Sequence, residues 1–437
     1  MPETEEDLVA GFLSGLGRQR VVDFIGAVVE DENLMLELGR IDLDPDSVAR
    51  FAREKGYAFS AGELTEVTEA RIAAQVPEDE LRIRARFLDE RVRGVAHIPR
   101  QMDEETEAQL HEVLHTPGFE LPRAAVLRGD VIALRQLPAL PGVLALLEDA
   151  LERSFDGVNL EQIHAHFDFD EMKIRAERAY DRLVDDSRVP AAMQAVIGDL
   201  GLDPRKVLWE WPGMCLLYPV EQGGRGVYRA ANSGALAAHR DTWYGSPQHQ
   251  LNFWGPIKCL DPDATLRIYS HYHRKTVPNS SHGYDTWQNL AGVALPPSIT
   301  GDGVSPEGAF APPLEVGDVM SFAGHQLHAS AVNRSGRTRV SFEFRLLHAD
   351  DEGQSYVPPN TDYYGIGEIY RGWYDRNGAQ VNRLTGEITH RETASVPSGG
   401  SQVKTVVMAA PTSFSPAQAP SESACVRADG AAADIMA

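Results

Sequence analysis

Leu327-His328-Ala329-Ser330-Ala331-Val332-Asn333-Arg334-Ser335-Gly336-Arg337-Thr338-Arg339, followed by Val340-Ser341-Phe342-Glu343-Phe344-Arg345, reads as a hairpin with a charged inner face. Gly317-Asp318 turns the chain into an apolar strand, Val319-Met320-Ser321-Phe322, while Asn333 and Ser335-Gly336 supply hairpin-turn chemistry. On the returning strand polar and apolar residues alternate, so Arg339, Ser341 and Glu343 share one face, with Arg345 at its far end. Upstream, Val207-Leu208-Trp209-Glu210-Trp211, Met214-Cys215-Leu216-Leu217-Tyr218 and Gln250-Leu251-Asn252-Phe253-Trp254-Gly255-Pro256-Ile257 read as further short strands punctuated by Gly and Pro. Such strands, running from about residue 205 to 348, predict a jelly-roll barrel.

Around that core the pattern is helical. Residues from about 78 to 205 alternate charged helical stretches with Pro breaks, as in Val143 to Arg153 after Pro141-Gly142, and are expected to buttress the sheet. In the first 75 residues, Val21, Val22, Phe24, Ile25 and Val28 mark one helical face. Asp44 with Pro45, Gly56, and Ser60-Ala61-Gly62-Glu63 punctuate two more helices as caps, an exit and a capping box. The expected class is therefore α+β: a helical module over 1–75, a main domain over 76–395, and a disordered Ala-, Ser- and Pro-rich tail over 396–437. The stretch 258–312, rich in Asp, Pro and Gly, is expected to be a long excursion between barrel strands that forms a rim or lid.

Bulk properties narrow the function. The 437 residues carry a formal net charge of -23, which repels phosphate backbones and anionic surfaces, so neither nucleic acid nor membrane is an expected partner. No long apolar run is present, and the start, Met1-Pro2-Glu3-Thr4-Glu5-Glu6-Asp7, is acidic where an export signal is basic and then apolar. Three widely spaced cysteines, Cys215, Cys259 and Cys425, argue against a disulfide framework or a cysteine metal site, and a cytoplasmic location is expected.

The chemistry is carried by histidines and carboxylates. The tripeptide His-x-Asp occurs three times, at His166-Phe167-Asp168, His239-Arg240-Asp241 and His348-Ala349-Asp350, and one occurrence is no surprise in so acidic a chain. On a strand, residues two apart converge on one side, so each pair needs a third ligand from across the barrel. Only His239-Arg240-Asp241 has a suitable context: His328 lies far downstream and Arg339 follows it by eleven positions. Two imidazoles and one carboxylate hold non-haem Fe(II) on one face and leave the other open. A buried guanidinium beside such an ion is a natural clamp for a carboxylate; Arg337 and Arg345 compete for that role, and the spacing prefers Arg339.

His239-x-Asp241, His328 and Arg339, with the Leu-His-x-Ser and Asn-x-Ser-Gly-Arg-x-Arg context, resemble the Fe(II)/2-oxoglutarate-dependent dioxygenases of the phytanoyl-CoA hydroxylase type over residues 205–348. The resemblance implies a double-stranded β-helix, the cupin-like form of jelly roll. It also implies that His239, Asp241 and His328 bind Fe(II), and that Arg339 pairs with the distal carboxylate of 2-oxoglutarate. Molecular oxygen is then consumed, 2-oxoglutarate gives succinate and carbon dioxide, and a small-molecule or peptidyl substrate in a biosynthetic pathway is oxidised. A carboxylate at Asp241, where related halogenases carry a small residue, implies hydroxylation, desaturation or ring formation. The module from Val22-Asp23-Phe24 through Phe51-Ala52-Arg53-Glu54-Lys55-Gly56-Tyr57-Ala58-Phe59-Ser60 to Glu63-Leu64 resembles the Nif-eleven-like leader-peptide family, a segment recognised by peptide-modifying enzymes. An ordinary helical extension packed on the main domain is the alternative.

Secondary candidates surround this set. Asn252 and Gln250, on the strand after the metal motif, can hydrogen-bond the co-substrate carboxylate or form a buried polar network. Trp243, Tyr244 and His249 are candidates for the substrate wall, with core packing the alternative. Two other functions stay open: a metal-binding or sensor protein on the same shell without turnover, and a hydrolase or isomerase using another divalent metal.

Overall fold

The computed structural model of the chain describes residues 5–31, 44–92, 108–224, 226–228, 231–233, 237–258, 265–291, 295–300, 304–305, 307–358, 361–389 and 407–408, with positions 34, 37, 38 and 41 besides. Helices combine with a large, mostly antiparallel sheet, an α+β arrangement. The centre of that sheet is the strand Arg339–His348, ten residues long. On one side it pairs with Leu251–Lys258, with Phe344 opposite Phe253. On the other, its first half pairs with Gly213–Leu217 and its second with Val207–Glu210. A second sheet of three strands, His328–Ser330, Leu266–Tyr269 and Ala309–Phe310, packs against the first through Leu266 and Ile268 on Trp254, Met320 and Phe322.

Alternation along Arg339–His348 decides which side faces what. Val340, Phe342, Phe344 and Leu346 join a core shared with the helices Leu140–Ser154, Phe169–Val184 and Val189–Asp199. Phe344 stacks on Phe253 with centroids 4.7 Å apart, and each such buried ring contributes about 1.5–3 kcal/mol of transfer free energy. The alternate residues Arg339, Glu343 and Arg345 line a cavity between the two sheets. The expected hairpin turn is present, with Asn333 Nδ2 donating to Leu217 O and Arg337 O and Gly336 left-handed at φ 67.

Two stretches differ from the sequence reading. Leu110–Leu114 and Val131–Arg135, within the region read as helical, are strands paired in parallel at the edge of the large sheet. Val131-Ile132-Ala133-Leu134 is a short, wholly apolar run, whose periodicity does not distinguish a buried strand from a helix. The stretch 258–312 is not wholly an excursion, because it donates Leu266–Tyr269 and Ala309–Phe310 to the second sheet. These strands are only four and two residues long, too brief to stand out between Asp- and Pro-rich turns.

The N-terminal helices Glu5–Glu30, Pro45–Glu54 and Ala61–Gln75 form as expected. Asp44 caps the second by accepting from the amides of Asp46 and Ser47, and Ser60 and Glu63 close a reciprocal capping box on the third. Their apolar faces, with Phe24, Phe51 and Phe59, join one core with Trp287, Ile366 and Tyr370 from much later in the chain. The following helix, Glu78–Val92, is tied down by charge. Arg84 Nε donates to Asp285 at 2.9 Å, and buried Glu80 accepts from Tyr370, Arg371 and Asn382. The expected disordered tail lies outside the described residues, except for Val407–Met408, which pairs with Ile388–Thr389. No helix among the described residues is long and apolar enough to cross a membrane.

Candidate metal centre

His239 and His328 are joined by an isolated antiparallel bridge, in which each amide donates to the other residue's carbonyl. That bridge continues the second sheet beyond His328–Ser330 and sets the two imidazoles side by side, 4.4 Å between ring centroids. Asp241 is not on a strand, as the sequence pattern suggested, but opens a 3-10 turn, Asp241–Tyr244. The turn ends at Gly245 with φ 78, where a Cβ would stand 2.9 Å from Thr286 Oγ1. His239 and Asp241 converge all the same, because Arg240 between them is drawn the opposite way into the interior. It is fully buried, with its Nε on Asp362 at 2.9 Å and its terminal nitrogens on the carbonyls of Tyr272, His273, Lys275 and His325.

The donor set suits a divalent ion. His239 Nδ1 lies 2.9 Å from Ala237 O and His328 Nδ1 2.9 Å from Gln326 O. A carbonyl only accepts, so each Nδ1 carries the proton and each Nε2 presents its lone pair to the site. Those atoms stand 3.5 and 3.7 Å from Asp241 Oδ1. That spacing is close enough for His239, Asp241 and His328 to hold one ion together, were it bound, through bonds of about 2 Å. Burial, with the neighbouring His239 imidazole, pushes His328 down to about 4, which keeps it neutral and available as a ligand. Burial alone would raise Asp241, but the Arg345 guanidinium beside it outweighs burial and holds the carboxyl well below its ordinary range. Among the described residues no other group of His, Cys, Asp and Glu meets this geometry.

The rival tripeptides have local duties. Asp168 caps the helix Phe169–Val184 by accepting from Glu171 N, and His348 caps the turn Ala349–Asp351. The competing arginines are also engaged: Arg337 pairs with Glu161 at the surface, and Arg345 pairs with Glu210, Glu343 and Asp241. Arg339 is 2% exposed and lines the same cavity as His239, Asp241 and His328. Its Nη2 donates to Cys215 Sγ at 3.2 Å, and its guanidinium lies 5.8 Å from the Trp254 ring. Burial pushes the Cys215 thiol up despite Arg339, so it is a neutral neighbour.

Asn252 lies on the strand Leu251–Lys258 and Gln250 immediately before it, and both amides turn to Asp241 Oδ2, at 2.8 and 3.0 Å. They hold the metal carboxylate as a buried polar network, the second of the two roles open to them from sequence. Of the expected substrate wall, Tyr244 stands edge-on to the His239 ring with centroids 5.6 Å apart, its hydroxyl donating to Pro297 O. Trp243 is 0% exposed, packs with Val277 and Leu327, and donates its indole N–H to Asp362; it props the turn from behind and does not reach the cavity. His249 is buried and does not line the cavity; burial and Arg383 push it down to about 3. Sequence reasoning missed Asp362, Glu210 and the role of Arg345 beside Asp241. For Arg345 the signal was its phase on the Arg339 strand; for Asp362 there was none. A wider cleft of about 570 Å³, between the helix Pro45–Glu54 and Asn279, His282 and Thr300, holds none of the metal-centre side chains.

No family model matches the chain, and no curated protein does. Among solved structures it is similar to EvdO2 from Micromonospora carbonacea var. aurantiaca, at 17% identity over 39% of this chain and 64% of that one, TM-score 0.28. It is also similar to SnoN, a non-haem α-ketoglutarate-dependent epimerase from nogalamycin biosynthesis, at 14% identity over 39% and 56%, TM-score 0.24. EctD from S. alaskensis matches at 14% identity over 62% of this chain and 89% of that one, TM-score 0.30. The chain thus spans just under two thirds of EvdO2. At such identities and scores the chemistry of this site stands on its own geometry.

Proposed function

We propose that this chain is a non-haem Fe(II)- and 2-oxoglutarate-dependent dioxygenase of the phytanoyl-CoA hydroxylase type on a double-stranded β-helix, acting in a biosynthetic pathway. The observation that carries the reading is one cavity holding two imidazole Nε2 atoms, one carboxylate and the buried guanidinium of Arg339. When bound, Fe(II) and 2-oxoglutarate supply activation of molecular oxygen, with succinate and carbon dioxide as co-products.

His239, Asp241 and His328 hold the ion from one side, which leaves the opposite side to other ligands. Arg339 offers a planar fork to the distal carboxylate of the co-substrate, in surroundings from which Trp254, Phe322 and Leu266 exclude water. Tyr244 packs edge-on against His239 and, in this reading, steadies that ligand from outside the cavity. With the Asp241 carboxylate occupying a ligand position, hydroxylation of a small-molecule or peptidyl substrate is the proposed outcome. The N-terminal helices, fused to the main domain through Trp287 and Tyr370, serve as scaffold; their leader-peptide-like sequence makes a peptidyl partner the version to test first. A cytoplasmic location fits the free, buried Cys215 thiol.

Succinate release from 2-oxoglutarate with Fe(II) and ascorbate, in the wild type and in Arg339→Ala, is the decisive measurement. Formation in the first and loss in the second is expected. No succinate and no 2-oxoglutarate binding in the wild type would return the site to a metal-binding protein without turnover, or to a hydrolase or isomerase with another metal.

A further inference from the structure

The two oxygens of Asp241 have different surroundings. Oδ1 faces His239 and His328. Oδ2 accepts from three donors: Gln250 Nε2 at 3.0 Å, just ahead of the strand Leu251–Lys258, Asn252 Nδ2 on it at 2.8 Å, and Arg345 Nε on the neighbouring strand at 3.2 Å. A carboxylate oxygen has two in-plane lone pairs, so three donors leave Oδ2 none with which to reach an ion. Arg345 is in turn fixed by Glu210 Oε2 at 2.7 Å and Glu343 Oε1 at 2.8 Å. Gln250 and Asn252 are locked to each other, Nε2 to Oδ1 at 2.7 Å.

We propose that Arg345, anchored between Glu210 and Glu343, is a positioning residue that commits Asp241 to one-oxygen ligation and so sets the affinity and coordination number of the metal centre. The inference rests on the reading of His239, Asp241 and His328 as that centre. It assigns to Arg345 a task distinct from anion clamping: its charge is spent on three carboxylates of the protein, whereas Arg339, at the other end of the same strand face, is turned to the cavity. Without Arg345, Oδ2 loses its charged donor and is held by the two neutral amides of Gln250 and Asn252 alone, a weaker anchor. Asp241 can then swing to grip an ion with both oxygens or turn away, and each changes the count of remaining ligand positions. Outer partners of metal ligands typically shift metal affinity about 10- to 100-fold.

The test uses the full chain and cobalt(II) as probe, because its visible absorption reports coordination number without turnover. Titration of the wild type, Arg345→Gln, Arg345→Lys and Glu343→Gln should give, in that order, tight binding, binding weaker by about 10- to 100-fold with a changed spectrum, partial recovery, and a smaller change in the same direction. Far-ultraviolet circular dichroism of each apoprotein checks folding; if Arg345→Gln fails it, the Glu343→Gln spectrum decides. Unchanged cobalt affinity and spectrum in a folded Arg345→Gln overturns the positioning role and leaves the metal centre standing. Failure of the wild type to bind cobalt, manganese or Fe(II) overturns both.

Discussion

The backbones of His239 and His328 donate to each other, His239 N to His328 O at 2.9 Å and His328 N to His239 O at 3.0 Å. The spacing of the two imidazoles is therefore fixed by main-chain hydrogen bonds and not by the ion. His328→Ala keeps that bridge and loses an Nε2 donor, so it should fold, at a cost of about 1–3 kcal/mol for the truncated side chain, yet show no metal-induced rise in melting temperature. The wild type should gain about 2.7 kcal/mol when metal is present at a hundred times its dissociation constant. An equal gain in the variant would place the ion elsewhere.

On the proposed function, Arg339 separates co-substrate binding from metal binding. Arg339→Ala should retain Fe(II) or Mn(II) binding while 2-oxoglutarate affinity falls by about 100-fold, the loss expected for a charge-assisted bidentate pair of about 3 kcal/mol. Arg339→Lys, a point charge without the fork, should recover only part of it. Isothermal titration with 2-oxoglutarate in the presence of Mn(II) measures both, and equal affinities in all three proteins would remove the clamp from the site.

Arg240 belongs to stability. Its pair with Asp362 is fully buried, and Asp362 also accepts from Trp243 Nε1 and Val277 N. Removing one partner of such a pair leaves an uncompensated buried charge, so Asp362→Ala should cost about 3–5 kcal/mol in urea denaturation and weaken metal binding with it. A stability change below about 1 kcal/mol, the range of an exposed pair, would contradict this account.

Acid should unfold the apoprotein through its buried histidines. Burial, with Arg383 for His249 and Arg240 for His273, pushes each down to about 3. Their unfolded values lie near 6.5, so between these limits the unfolded chain binds more protons, and stability rises with pH across that window. The contribution is complete above about pH 6.5 and falls away toward pH 3. Urea midpoints measured without metal at intervals from pH 4 to 7.5 should climb and then level off; a flat profile would show that these histidines titrate freely.

The N-terminal helices should not melt separately. Trp287 is 1% exposed, packs at 5.8 Å from Phe87 and 5.9 Å from Tyr370, and joins both parts of the chain. Trp287→Ala should cost about 3–5 kcal/mol and lower one calorimetric transition; two transitions would make the helices an independent module. Deletion of residues 1–75 bares the Trp287 and Ile366 surface, and an unchanged affinity for a peptidyl substrate in that variant would end the docking role.

Local rules are legible in the residues themselves. Asp44 and the Ser60 and Glu63 capping box start helices through hydrogen bonds that span two or three residues, so a short stretch of chain specifies them completely. Alternation along Arg339 to Arg345 separates cavity from core for the same reason: side-chain direction on a strand depends only on position. The turn at Asn333 and the left-handed Gly336 follow from their own backbone chemistry.

What depends on distant partners is not legible in this way. The strand Val131–Arg135 exists because Val319–Ala323 and Leu110–Leu114 lie on either side of it, and its own apolar run suits a helix equally well. The direction of Trp243, the carboxylate of Asp362 beneath Arg240, and the turning of Gln250, Asn252 and Arg345 to one oxygen of Asp241 are likewise settled by neighbours far away in sequence. By itself the sequence determined the residue types of the candidate ligand set and the phase that puts Arg339, Glu343 and Arg345 on one face of their strand. The tertiary structure decided which side of Asp241 is free, because hydrogen bonds between distant side chains are a property of packing and leave no periodic mark in the chain.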